Sequence, residues 1–399
     1  MRILWISPFL HHPTLQGGQI RSLSILKKLH EWHEVHFASM WYPEQAEGRA
    51  RTSEYCSQSY LVPHSAPAVR SLAFVPQALA NLTSPLPLTV ARDISPQMRT
   101  VIEELQAKPF DVTVCDFAST AVNIRTRKNL VLFQHNVETM IWRRLSQHGA
   151  TPLHRWYFGR QANRMYEFEK GVCREVRHVL AVSDNDAALM REMFDIQHVT
   201  AVPTGVDLDY FERPKAQAEP TCDLVFTGSM NWMANIDGIL WFAKEVLPLI
   251  RKRRPRCTVA VVGRNPVPAI VQLGKEDPLI SVTGTVPDVR PYLWNSRVAI
   301  VPLRVGGGTR LKIYEAMAAG IPQVSTAVGA EGLTVHPGQD IQIADSPEEF
   351  AASCLRLLDD DEARRRVSAA ARDLVVREFS WDRIGRSFEA VLLETAGKR

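Results

Sequence analysis

Short runs of apolar, mainly β-branched residues recur along the chain, separated by stretches with helical spacing. In the first half, strands are predicted at Arg2–Ser7, Glu34–Ser39, Asp111–Asp116, Leu130–Gln134, His178–Val182 and Val199–Val202. Each run is nearly continuous in apolar residues, as a strand covered on both faces requires. Ile20–Trp32 carries a moderate helical stripe through Ile20, Leu23, Leu26 or Lys27, and Leu29 or His30. Two stretches break the rhythm. Pro63–Pro96, rich in proline and apolar residues, is expected to form helices with proline-bounded ends. Glu138–Glu175 reads as a long helical region with many arginines and aromatics.

A polar stretch with two prolines, Gly205–Cys222, separates two periodic regions. After it the rhythm restarts, with strands at Asp223–Thr227, Cys257–Val262, Ile280–Thr283, Arg297–Pro302, Pro322–Thr326 and Ile341–Ile343. A helix over Ile236–Arg253 has an apolar stripe from Ile236 to Ile250. Three helices close the chain: Pro347–Leu358, Asp361–Glu378 and Trp381–Thr395. Strands alternating with helices imply parallel sheets. The fold class is therefore α/β, with two doubly wound, Rossmann-like domains facing across a cleft. The domains are expected at 1–205 and 206–380, with the helix at about 381–399 packing back on the first. Ligands of such sheets bind beyond the carboxyl ends of the strands.

Composition adds bounds. A chain of 399 residues with 45% hydrophobic content has room for two cores, and a net charge of +4 argues against a dedicated nucleic-acid binder. The six cysteines are scattered with no C-x-x-C pair, which suits reduced, buried thiols. No apolar run approaches the ~20 residues that span a bilayer, and MRILWIS lacks the features of a signal peptide. A cytoplasmic location is expected. The P-loop, the G-x-S-x-G elbow, H-E-x-x-H and a G-x-G-x-x-G after the first strand are all absent.

Four segments carry candidate chemistry. Gly17 and Gly18 lie between the first strand and first helix, where bare backbone lets a phosphate or sugar approach and a helix N-terminus offers N–H groups. A plain turn explains them equally well. His135 and Asn136, with Glu138 just beyond, stand at the carboxyl end of a strand; a helix-capping role is the alternative. Gly228 ends another strand before a polar loop holding Asn231 and Asn235, again readable as capping. In VPLRVGGGTRLKIYEAMAAGIP, a strand ends at Pro302 and Gly306, Gly307 and Gly308 precede a helix starting near Thr309. Such a turn is a ready anion site. Arg310 and Lys312 in the first turn oppose the helix dipole, a conflict that a bound diphosphate relieves. Glu315, one turn on, can accept hydrogen bonds from two ribose hydroxyls, with an ion pair to Lys312 as the alternative.

These segments, in order and over essentially the whole chain, resemble glycosyltransferase family four, the large retaining GT-B group. HNVE, GSMNWMAN and GGGTRLKIYEAMAAGIP are similar to motifs of its bacterial exopolysaccharide-associated branch. The resemblance implies a hexosyltransferase-type enzyme that needs neither cofactor nor metal. Its donor is a nucleotide diphosphate sugar, UDP- or GDP-linked, held on the C-terminal domain. Its acceptor, a glycan or lipid-linked glycan, lies on the N-terminal domain, and nucleic acid is not a partner. Matched residue by residue, Gly17 and Gly18 fall near the diphosphate, His135 lines the sugar and acceptor side, and Glu315 holds the ribose. His135 and Glu315 are thus the candidate catalytic residues. Val286 lies in the loop beside the nucleobase, with Gly263 and Arg264 ending the neighbouring strand.

Two departures stand out. The first glutamate of the family's Glu–seven residues–Glu motif is Gly307 here, and the usual Arg and Lys after the strand-ending glycine are Ser229 and Ala234. Arg310 and Lys312 are expected to supply the missing charge from the other side of the diphosphate. A nucleotide-sugar epimerase of the same fold, or a degenerate, non-catalytic nucleotide-binding scaffold, stays open as an alternative. Residues 142–160 interleave arginines with aromatics, as suits either peripheral contact with an anionic membrane or a solvated interdomain helix.

Overall fold

The computed structural model describes residues 1–14, 17–67, 71–72, 74–147, 151–214, 219–305 and 310–398. The chain divides into two compact units, Met1–Pro203 with Trp381–Arg399, and Thr204–Ser380.

Unit 1 holds a seven-stranded sheet in the order β3-β2-β1-β4-β5-β6-β7. Its strands are β1 (Arg2–Ser7), β2 (Glu34–Trp41), β3 (Gln58–Pro63), β4 (Val112–Asp116), β5 (Leu130–Phe133), β6 (His178–Ala181) and β7 (Val199–Ala201). Every pairing is parallel. β1, β4 and β5 are almost wholly buried, which is why their sequences are continuously apolar. β3 is an addition to the predicted strands. It is an edge strand with a largely half-exposed face, so SQSYLVP lacks the apolar run that marks the central strands.

The predicted helical region 138–175 is two helices, Glu138–Gln147 and Pro152–Glu175. Thr151 caps the second, its hydroxyl accepting from the His154 N–H, and Pro152 occupies the first position, where no donor is needed. The helix Trp381–Thr395 belongs to unit 1. Phe388 stacks on Trp5 at 5.6 Å, His33 meets Glu389 at 2.7 Å, and Gly385 lets Lys28 and Trp32 of the Gly17–Trp32 helix come close.

Unit 2 holds a six-stranded parallel sheet in the order β10-β9-β8-β11-β12-β13. Its strands are β8 (Cys222–Thr227), β9 (Val259–Val262), β10 (Ile280–Gly284), β11 (Ser296–Val301), β12 (Gln323–Ser325) and β13 (Gln342–Ile343). The predicted helix over 236–253 starts earlier and is interrupted. Met233–Trp241 runs into a wider π-type turn, Phe242–Val246, before Leu247–Arg251. Pro248 has no N–H to give to the carbonyl four residues back, and its ring crowds that carbonyl, so the preceding turn opens. Ser346 and Asp360 cap the helices Pro347–Asp359 and Asp361–Glu378.

In both sheets the strand order reverses beside the first strand, between β1 and β4 and between β8 and β11. The crevices beyond the carboxyl ends at these switch points are where doubly wound sheets bind ligands.

Candidate functional site

In unit 1 the switch point is occupied by a buried charged network. Asp116, the last residue of β4, is fully buried. Its Oδ2 accepts from Trp5 Nε1 and Ser7 Oγ, both at 3.3 Å, and its Oδ1 from Ser22 Oγ at 3.0 Å. His135, just past β5, places Nε2 2.7 Å from Oδ1. The Arg21 guanidinium lies 2.9 Å from His135 Nδ1. A guanidinium only donates, so Nδ1 accepts and the proton sits on Nε2, which donates to Asp116. Burial lowers the imidazole below its ordinary value against the opposing pull of Asp116, so His135 is neutral. Burial also lowers Arg21 to about 10, which leaves it charged at neutral pH.

Phe117 closes this pocket. Its backbone has φ 62°, rare for a residue with a side chain, and its ring stacks on His135 with centroids 4.0 Å apart. A Cβ on Gly18 would lie 2.8 Å from the Phe117 ring, so the missing side chain at Gly18 makes room for this stack. Gly17 is exposed at the start of the Gly17–Trp32 helix. Asn136 is half-buried and hydrogen-bonds Glu138, whose carboxyl is raised by burial. Glu169 secures the next helix. It accepts from the Glu138 and Thr139 N–H groups at 2.9 and 2.8 Å and from Gln134 Nε2 at 2.6 Å, and burial raises it to about 7.

Unit 2 is built differently. Gly228 and Gly263 follow β8 and β9 with φ of 156° and 157°, and their backbones touch: a Cβ on Gly263 would lie 1.7 Å from the Gly228 oxygen. A Cβ on Gly228 would lie 2.6 Å from Lys312 Nζ. Gly263 thus lets the two strand ends meet, and Gly228 clears the end of β8 for an ammonium group. Lys312, in the first turn of the helix Leu311–Ala318, donates to Asn235 Oδ1 at 3.1 Å and sits 4.1 Å from the centroid of the Phe226 ring. Asn235 is held by the Ser229 carbonyl at 2.8 Å. Lys312 has no carboxylate partner among the described residues, and burial pushes it down to about 7.

Glu315 does not pair with Lys312, and its carboxyl has no hydrogen-bond partner among the described residues. Burial raises it to about 7, opposed by the nearby ammonium. Asn231 is exposed and accepts from Ser229 Oγ at 2.8 Å; Arg264 Nε reaches the same hydroxyl at 3.3 Å. Arg310, almost buried, immediately precedes the helix. Val286 lies half-buried in the loop after β10. In that region Arg290 lies over Tyr210 at 3.8 Å and pairs with Asp288 at 2.7 Å. Gly307, Gly308 and Thr309 lie outside the described residues.

The structure therefore brings Gly18 and His135 together in unit 1, and Gly228, Gly263 and Lys312 in unit 2. Asp116, Arg21, Ser22 and Phe117 are additions that sequence reasoning missed. Their one sequence signal is the acid that ends the apolar run VTVCD.

Two family models match in succession. One described as Glycosyltransferase Family 4 covers residues 16–210, and one described as Glycosyl transferases group 1 covers residues 221–360. The chain is a GT-B glycosyltransferase. Among its relatives is a Klebsiella pneumoniae protein described as an uncharacterised 44.6 kDa protein in the cps region, 20% identical over 364 residues, covering 88% of this chain and 89% of that one. A Mycobacterium tuberculosis glycogen synthase is 22% identical over 258 residues, 61% of this chain and 60% of that one. Among solved structures, the Anabaena protein HepE in complex with UDP superposes with a TM-score of 0.67 at 12% identity, over 99% of this chain and 100% of that one. At that identity the glycosyltransferase shares the fold with HepE, and the fold alone.

Proposed function

We propose that this glycosyltransferase transfers a sugar, with retention, from a nucleotide diphosphate sugar bound by unit 2 to a glycan or lipid-linked glycan bound by unit 1. The observation that carries the donor reading is the pair Lys312 and Glu315. A cation without a salt bridge and an acid without a hydrogen bond among the described residues stand one turn apart on one helix, acting on each other only through space, beside two bare strand ends. Partly buried charges without a hydrogen-bonded counterion cost stability, so a bound group that pairs both is the simplest account of why they persist. A diphosphate suits the ammonium and ribose hydroxyls suit the carboxylate. HepE has been solved with UDP-glucose, which supports the same ligand class here.

Lys312 also bears on the absent cations at Ser229 and Ala234. Its ammonium reaches the end of β8, where that loop begins, and in this reading it neutralises the leaving diphosphate together with Arg310. No metal is then required. Retention follows from front-face attack in which the donor phosphate takes the acceptor proton. His135 is assigned a positioning role. With Asp116 on one nitrogen and Arg21 on the other, it has no free nitrogen for proton transfer and instead shapes the acceptor side.

The test is calorimetric titration with UDP, GDP and their sugars, followed by product anomer analysis with the donor that binds. Micromolar binding of one nucleotide diphosphate that Glu315→Gln weakens is expected. Binding of none, or an inverted product, overturns the reading.

A further inference from the structure

Among the described residues of unit 1, every large hydrophobic side chain that stands exposed lies in one region. Val75 and Leu79, 50% and 60% exposed, are one turn apart on the helix Phe74–Asn81, with Leu72 just before it. Ile141 and Leu145 are one turn apart on Glu138–Gln147, and Leu153 and Trp156, 69% and 57% exposed, on the first turns of Pro152–Glu175. Each pair has the spacing that puts both residues on one side of its helix.

The three helices are fastened together. Arg160 and Arg164 donate to the Asn81 and Leu82 carbonyls at 2.7–3.0 Å, satisfying the end of the first helix. Gln161 bonds Asn81 Oδ1 at 3.1 Å and the Leu88 N–H at 2.8 Å. Trp142 meets Phe158 across the other two helices, with centroids 6.1 Å apart. The exposed apolar residues therefore lie on, or just before, three helices that are joined to one another.

Their charge has a single sign. Residues 64–92 and 139–166 contain no aspartate or glutamate. Exposed Arg143, Arg144 and Arg155 interleave with the apolar positions. A second copy of the chain would set these positive segments against themselves. Among the described residues no helix is long and apolar enough to cross a membrane. Exposed apolar and arginine side chains on segments without acids are complementary to anionic headgroups above an acyl layer.

We infer that these helices dock unit 1 peripherally on a bilayer rich in anionic lipid, the apolar side chains entering the acyl boundary and the arginines meeting headgroup phosphates. The inference is independent of the donor reading. It is tested by cosedimentation of the full chain with phosphatidylcholine vesicles, with and without phosphatidylglycerol, at low and high salt. The expected result is salt-sensitive binding that needs phosphatidylglycerol. The pair Leu153→Ser with Trp156→Ser, and the pair Arg144→Glu with Arg155→Glu, should each lower partitioning by more than about tenfold. Val376→Ser, at an exposed apolar position in unit 2, should change nothing. Thermal melts confirm that each variant folds, and Val75→Ser with Leu79→Ser replaces any that does not. Absence of binding at low salt, equal binding to both vesicles, or unaltered binding by the variants overturns the proposal. So does a self-association that the serine variants abolish without any lipid binding, which would assign these helices to a second copy.

Discussion

The two switch points share one topology and have opposite electrostatic character. In unit 1, Asp116 accepts from four donors, and both nitrogens of His135 are engaged. In unit 2, Lys312 holds a single amide oxygen and Glu315 holds nothing among the described residues. A doubly wound sheet thus supplies a place for a ligand without determining whether the chain itself fills it. Unit 1 has internal partners where unit 2 leaves charge waiting. Substitutions should therefore separate stability from binding according to unit.

The largest effect is expected at Asp116. Asp116→Asn keeps the shape but replaces the buried carboxylate to which Trp5, Ser7, Ser22 and His135 donate, a loss of about 3–5 kcal/mol at about 1.5–3 kcal/mol per hydrogen bond to a charged group. For a domain of roughly 200 residues this lowers the unfolding midpoint by roughly 10 °C in a thermal melt. A shift within about 1 °C would show that unit 1 is not held by this network.

Next is Glu315→Gln. Replacing a charged acceptor of hydroxyl hydrogen bonds weakens nucleotide-diphosphate binding by roughly 10- to 100-fold, at about 1.5–3 kcal/mol per charged hydrogen bond. The melting midpoint should stay put or rise, because a partly buried acid without a hydrogen-bond partner among the described residues is removed. A fall in stability as large as that of Asp116→Asn would make Glu315 a structural residue.

The smallest expected effect is in pH dependence. Lys312, lowered to about 7, is neutral above that pH in the empty site, so diphosphate binding takes up a proton there. Glu315, raised to about 7, must lose its proton to accept from two hydroxyls, so binding releases a proton below that pH. Affinity should peak near neutrality and fall on either side by up to about tenfold per pH unit. Titrations in buffers of different ionisation enthalpy read the proton uptake directly. No uptake above neutrality would place the ammonium away from the phosphates.

The same contrast explains what was legible in the sequence. The central strands announce themselves because burial on both faces demands continuous apolar runs. β3 does not, because its edge position tolerates the polar residues of SQSYLVP. The π-type turn is hidden within an unbroken apolar stripe, with Pro248 as its sole sign. Lys312 and Glu315 were conspicuous because they break a local rule, cations at a helix start and an acid beside small apolar residues. Arg21 and Ser22 break none. They read as ordinary helix positions, and their partner His135 is 114 and 113 residues away. A satisfied network leaves no local anomaly, whereas a site waiting for a ligand does.

The central claim is that unit 2 holds a diphosphate through Lys312. Its most direct test is calorimetric titration of UDP and GDP into the wild-type chain and Lys312→Met, with melts run in parallel. The account predicts that the nucleotide bound by the wild type loses at least about tenfold in affinity, while the variant melts no lower, since a partly buried, unpaired ammonium has been replaced by an apolar chain of similar length. Unchanged affinity in a folded Lys312→Met variant would contradict it.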